Sequence, residues 1–242
     1  MRASLLVTCL VDALYPDVGW SAVHVLREHG VEVDFPPGQV CCGQPAFNTG
    51  YREEAARAAR ALIKAFSSSE YVVCLSGSCT AMIRHHYPAL LAGTRWESDA
   101  AALAGRVYEF SEFLVDVLGV AAPSGRRRAR AVIHDSCHTR RMLGVESQPR
   151  TLLSALDGLE LVPLPRSVDC CGFGGTFSVK MEAISRAMVD EKVDHILQSG
   201  ADLLIGVDMS CLMNIGGRLR RRGAPVRVEH LAQVLATRGR AG

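Results

Sequence analysis

The sequence predicts an α/β protein built from two homologous Rossmann-like, three-layer halves with parallel sheets, related by a pseudo-two-fold. Three observations predict it. The cysteines recur in the same order in both halves, short apolar runs alternate with helix-forming segments, and a stretch of small and charged residues lies between the repeats.

In the N-terminal half the order is Cys9, then Cys41-Cys42-Gly43, then Cys79; in the C-terminal half it is Cys137, then Cys170-Cys171-Gly172, then Cys211. Cys9 to Cys41 is 32 positions and Cys137 to Cys170 is 33, while Cys42 to Cys79 is 37 and Cys171 to Cys211 is 40. Agreement at three linked points is the mark of a duplication. The flanks agree as well, since Ser78-Cys79-Thr80-Ala81-Met82-Ile83 parallels Ser210-Cys211-Leu212-Met213-Asn214-Ile215. The boundary falls near Ala121-Ala122-Pro123-Ser124-Gly125-Arg126-Arg127-Arg128, a linker composition, and divides the chain into residues 1–122 and 131–242. The arginine run is read as a solvated connector.

Taken in order, Leu5 to Thr8, Val31 to Phe35 and Tyr71 to Leu75 are short apolar runs rich in β-branched or aromatic residues, and are predicted strands. A helix ending at Gly30 and a second, Glu53 to Phe66, lie between them. In the second half Ala131 to His134, Leu159 to Val162 and Leu203 to Val207 are the strands, with helices near Pro149 to Leu156 and Val179 to Gln198. Alternation at this spacing predicts parallel βαβ units. Cys9, Cys79, Cys137 and Cys211 then each follow the C-terminal end of a strand, where open α/β sheets gather their ligands.

The composition is that of an ordinary globular protein, with 27 Lys and Arg against 25 Asp and Glu, so charge argues for neither nucleic acid nor an anionic membrane as a partner. No run approaches the roughly 20 apolar residues of a membrane-spanning helix. The segment Met1 to Cys9 is read as a strand rather than a signal peptide, because Asp12 and Asp17 follow closely. The expected location is the cytoplasm, where nine cysteines point to metal or redox chemistry rather than disulfides. Neither half continues its first strand into Gly-x-Gly-x-x-Gly, so no dinucleotide is expected.

Four thiolates per half suit an iron–sulfur cluster or a structural Zn²⁺. Zinc sites usually draw on two tight pairs of ligands, whereas here the pairs are vicinal, which suits the wider surface of a cluster. The glycines after each pair, three of them in Gly172-Phe173-Gly174-Gly175, let backbone amides approach sulfur closely. Each quartet is expected in a pocket of its own. Cys74, in Tyr71-Val72-Val73-Cys74-Leu75, has no counterpart and is expected to be buried apart from both.

The runs Thr8-Cys9-Leu10-Val11-Asp12, Cys41-Cys42-Gly43-Gln44-Pro45-Ala46, Ser76-Gly77-Ser78-Cys79, Cys171-Gly172-Phe173-Gly174-Gly175-Thr176-Phe177-Ser178 and Cys211-Leu212-Met213-Asn214-Ile215-Gly216-Gly217 carry a more specific signal. Over nearly the whole chain they resemble the lactate utilization protein A family. That family lies within the cysteine-rich superfamily that includes heterodisulfide reductase and the iron–sulfur component of glycolate oxidase. The resemblance implies an iron–sulfur electron-transfer subunit that helps oxidise L-lactate to pyruvate and is not active alone. Its implied partners are companion lactate utilization proteins, one of them a ferredoxin-type iron–sulfur protein. It also implies the ligands Cys9, Cys41, Cys42 and Cys79 in one half and Cys137, Cys170, Cys171 and Cys211 in the other. The superfamily pattern ends in Cys-x-x-Cys, but Ser76 and Asp208 stand at its first position here, which favours an ordinary [4Fe–4S] cluster, one or two in number.

Outside the cysteines, His134, His138 and Arg140 are candidates for catalysis, because lactate oxidation wants an Arg for the carboxylate and a His for the hydroxyl proton. Hydrogen bonding behind the cysteines is the alternative role. Lys180 and Asn214 are polar residues near the motifs without an evident task, and His24, His29, His85 and His86 are expected on the surface. Two other classes of function compete: a zinc-binding scaffold, with Zn²⁺ in one half or both, and a thiol–disulfide oxidoreductase.

Overall fold

A computed structural model describes residues 1–123 and 125–236. It contains two four-stranded parallel sheets. The first comprises β1 (Arg2–Leu6), β2 (Glu32–Asp34), β3 (Val72–Cys74) and β4 (Val107–Glu109) in the order β2-β1-β3-β4. The second comprises β5 (Arg126–His134), β6 (Asp157–Leu161), β7 (Leu203–Gly206) and β8 (Arg227–His230) in the equivalent order β6-β5-β7-β8. The α/β architecture of two like halves is as the sequence predicts.

Side chains alternate across the first sheet with the two-residue period of a strand. Ala3, Leu5, Val73 and Leu75 face one apolar cluster, and Leu6, Val72 and Cys74 face another. Both faces are covered, which is why these strands read as unbroken apolar runs. The first of the clusters continues into the second half, where it takes in Ile133, Leu203, Ile205, Leu231 and Leu235. A single apolar core therefore runs through both halves.

Contacts between the halves come in exchanged pairs. The helix Gly77–Ala81, after β3, packs on Cys137–Leu143, after β5, and the helix Met209–Arg221, after β7, touches Cys9–Leu14, after β1. Likewise Pro16–Glu28 packs on Leu231–Leu235, and Ser147–Ser154 on Phe110–Glu112. Reciprocity of this kind is the signature of a two-fold interface. At its centre Ser76 and Asp208 form an antiparallel bridge.

The edge strands β4 and β8 were not among the predicted elements. They are short and carry Glu109, Arg227 and Glu229, so neither reads as an apolar run. The arginine run is also placed differently: Arg126–Arg128 opens β5, and Arg126 and Arg127 pair with Asp157 and Glu229. Their place in β5 and their partners on β6 and β8 make Arg126 and Arg127 part of the sheet. The predicted helix over residues 179–198 is divided at Met181 into Phe177–Lys180 and Glu182–Gln198.

β4 and β8 each end in a buried residue that caps the next helix, Glu109 in one half and His230 in the other. Burial pushes the Glu109 carboxyl up to about 7, and hydrogen bonds from Ser111 and Glu112 offset this only in part. The fold therefore holds a proton where the unfolded chain has lost it, so stability is full below about pH 4.5 and falls as pH rises towards 7. His230, pushed down to about 4 by burial, acts in the opposite sense. Comparison with a Glu109→Gln variant isolates the carboxyl. Urea midpoints should show the variant gaining on the wild type by roughly 2–3 kcal/mol between pH 5 and pH 7.5; a constant difference would mean that Glu109 does not titrate in this range.

Candidate metal centre

The spacing from strand to cysteine is the same in both halves. Cys9 and Cys137 open the helices that begin three residues after β1 and β5, and Cys79 and Cys211 lie in the first turns of those following β3 and β7. Loops after the inner strands of a doubly wound sheet part at its C-terminal edge and leave a crevice there. The vicinal pairs reach the same edge on the loops that follow β2 and β6.

In each half the thiols form a chain of contacts. Cys9 meets Cys41, Cys41 meets Cys42, and Cys42 Sγ lies 3.2 Å from Cys79 Sγ. Cys137 meets Cys170, Cys170 meets Cys171, and Cys171 meets Cys211. Along each chain the acidities alternate. Hydrogen bonds from Cys42 and Cys9 hold the Cys41 thiol well below the ordinary range, and those from Cys137 and Cys171 do the same for Cys170. The hydrogen bond from Cys42 brings Cys79 to about 5, and that from Cys171 brings Cys211 to about 6. Their partners Cys9, Cys42, Cys137 and Cys171 are pushed up. Hydrogen bonds between neighbouring sulfurs thus favour thiolate character within each chain, the form that binds metal.

Local sequence explains how the pairs are held. Gly43 and Gly172 have φ of 82° and 83°, and the Gly172 amide points at Cys170 Sγ from 3.4 Å. An added Cβ on Gly172 would lie 2.6 Å from the carbonyl oxygen of Ser185. Asn214 has a clear task, donating to the Cys171 carbonyl at 2.8 Å, and Tyr87 donates to the Cys42 carbonyl at 2.9 Å. Lys180 is exposed.

The expectation of two separate pockets is corrected by the two-fold. It brings the C-terminal edges of the sheets together, so that all eight cysteines of the two quartets line one cleft that is open to solvent. Cys74 is buried as expected, but not apart: its thiol is hydrogen-bonded to Cys79 and donates to the Ser76 carbonyl at 3.4 Å.

The three catalytic candidates do not converge. His138 lines the cleft, with Nδ1 3.7 Å from Cys137 Sγ. Arg140 is turned away, its Nε paired with Glu146 at 2.8 Å. His134, at the end of β5, is 1% exposed and lies behind Cys171 and Cys211. Of the remaining histidines, His24 and His85 are exposed, while His86 stacks on Phe47 with ring centroids 4.5 Å apart.

Several supporting residues escaped sequence reasoning. Asp208, which the sequence presents only as a missing cysteine, is 1% exposed and accepts from Ser210 N at 3.1 Å, Ser78 N at 3.0 Å and Ser76 Oγ at 3.1 Å. It caps its own helix and ties the halves together beneath the cleft. Its place before a helix is a legible cap signal; its bond to the other half is not. Asp135 is pulled into an ion pair with Arg150 at 2.7 Å, which outweighs burial and lowers its carboxyl. Lys192 is 2% exposed and donates to the carbonyls of Arg166 and Ser167, holding the loop that leads to Cys170.

Two sulfur-bearing α/β units facing each other across one cleft define a tandem cysteine-rich protein. The family described as "CCG: Cysteine-rich domain" matches residues 3–84 and 131–216, one match per sheet. "Lactate utilization protein A 2" of Bacillus cereus is 52% identical over 237 residues, 98% of each chain, and "Lactate utilization protein A 1" of Bacillus anthracis is similar to the same extent. The crystal structure of a hypothetical protein from Helicobacter pylori shares the fold, with a TM-score of 0.69 over 97% of this chain at 10% identity. This chain spans about half the length of that one, 48%. The chain belongs to the lactate utilization protein A family, whose cysteine-rich domain it carries twice.

Proposed function

We propose that this chain is an iron–sulfur electron-transfer subunit of a multi-protein system that oxidises L-lactate to pyruvate. The observation that carries the reading is the convergence of two four-thiol chains on one cleft. The donor set fits the group: four sulfurs per half in a chain of contacts, with a backbone amide aimed at Cys170. Cys9, Cys41, Cys42 and Cys79 would hold one centre and Cys137, Cys170, Cys171 and Cys211 the other. A cluster bound there supplies one-electron transfer. The proposal extends to [4Fe–4S] as the cluster type, a cytoplasmic location, and a division into units 1–122 and 131–242, to which the repeat lends support.

The cleft suits electrons better than lactate. Among the described residues no Lys or Arg lines it, so a carboxylate would find no cation there. Lactate oxidation releases two electrons and two protons, and in this reading a companion protein binds the substrate while this chain relays the electrons. A ferredoxin-type iron–sulfur protein is the proposed neighbour. The residues of the chain itself bind and shield: Tyr87 and Asn214 fix the vicinal pairs, and Asp208 locks the two sulfur-bearing edges together.

A second reading, Zn²⁺ in the first half, draws on the 3.2 Å approach of Cys42 and Cys79, since thiolates on one tetrahedral ion lie about 3.8 Å apart for Zn–S bonds of about 2.3 Å. Iron, acid-labile sulfide and zinc measured on anaerobically purified protein separate the two. Lactate-dependent dye reduction should appear only when companion proteins are added; robust turnover by the isolated chain would sink the subunit reading.

A further inference from the structure

The two halves differ at a buried strand-end position beside the thiols. His134 precedes Cys137 by three residues, as Leu6 precedes Cys9, and each is the last residue of its strand. Leu6 packs in an apolar cluster. His134 is 1% exposed, and its ring nitrogens have no oxygen or nitrogen partner; the group they meet is the Cys211 sulfur. A buried imidazole whose polar neighbours are sulfurs stands where a thiol-bound metal would lie. A ring nitrogen of His134 and the sulfurs of Cys171 and Cys211 all lie within 4.8 Å of one another, the one such set of three among the described residues.

We propose that His134 binds the metal of the second-half centre through a ring nitrogen, making that centre mixed thiolate–imidazole while the first is bound by thiolates alone. This rests on the metal-binding reading above. The strand next to each position is consistent with the exchange: Leu6 pairs with Cys74, whose thiol meets Cys79, whereas His134 pairs with Gly206, which carries no donor side chain. Each half thus has one buried donor at the strand ends, a thiol in the first and an imidazole in the second. With five donors for four terminal positions, His134 displaces one cysteine of the second quartet; exchanging that thiolate for a neutral imidazole removes a negative charge and raises the reduction potential, so the second centre becomes the better electron acceptor.

The test uses the full chain, labelled with ¹⁵N-histidine and purified without oxygen, with iron, sulfide and zinc measured first. Pulsed paramagnetic resonance of the reduced or oxidised protein should show the strong ¹⁵N coupling of a metal-bound nitrogen. A His134→Leu variant, which installs the side chain of the first half, should lose that coupling and show one centre with a lowered midpoint potential. The wild-type spectrum decides the matter even where the variant folds poorly. Only the weak coupling of a hydrogen-bonded nitrogen, or strong coupling that survives in His134→Leu, would overturn the proposal. Absence of iron and sulfide would instead remove the iron–sulfur reading. In that event Co²⁺ loaded into the same labelled chain takes over as probe: a histidine coupling lost in His134→Leu supports ligation, and its absence from the wild type refutes it.

Discussion

Cys171→Ser protein is expected to fold, to lose the metal group of its second half, and to carry no current from lactate to dye in the reconstituted system. Cys171 sits in the middle of its thiol chain, touching Cys170 and Cys211, and is 2% exposed. A hydroxyl is a far poorer partner than a thiolate for a soft metal, so the loss should reach the background rate rather than a fraction of it. The fold should survive, because the apolar cluster that Cys171 packs against is left intact and burying one hydroxyl costs only about 1–3 kcal/mol. Iron content should drop by about half if both halves are loaded equally, a stoichiometric inference from the two-quartet arrangement. Undiminished lactate-dependent reduction by the variant complex would show that the second quartet carries no electrons.

Gly172→Ala should do more damage to stability than any cysteine change. The new methyl group would stand 2.6 Å from the backbone oxygen of Ser185, in a helix held on its other side by Val189 and Val193 in the core. Backbone cannot swing aside as a side chain can. The φ of 83° adds strain for any residue with a Cβ. Together these should cost roughly 2–5 kcal/mol, read as a fall in the urea midpoint at unchanged slope. Gly43→Ala offers the internal comparison: φ is 82°, but the nearest contact is 3.2 Å, so its loss should be smaller. Equal losses at the two positions would mean that φ alone, and not the approach to Ser185, sets the cost.

Much of this was legible in the residues because it depends on local order along the chain. The duplicated cysteine pattern located both sheets, since each thiol sits a fixed few residues after a strand, and apolar runs marked the inner strands β1, β3, β5 and β7 because those are covered on both faces. The edge strands β4 and β8 were not legible. Unlike the edge strands β2 and β6, which carry Val33, Leu159 and Leu161, they hold Glu109, Arg227 and Glu229, and three or four such residues do not make a period. Charge misled in one place: Arg126 and Arg127 read as a connector until Asp157 and Glu229, far along the chain, supplied their partners.

The sequence by itself determined that this is a twofold-repeated cysteine-rich α/β protein of the lactate utilization protein A family, because motif, spacing and periodicity are properties of the chain. Only the tertiary structure decided that the two quartets share one cleft, that Asp208 fastens the halves beneath it, and that His134 faces the sulfurs of Cys171 and Cys211 with no oxygen or nitrogen partner. Each of those facts depends on groups tens of positions apart meeting across a two-fold or between strands. Such meetings are set by how the sheets and helices pack against each other, and no local pattern of residues encodes them.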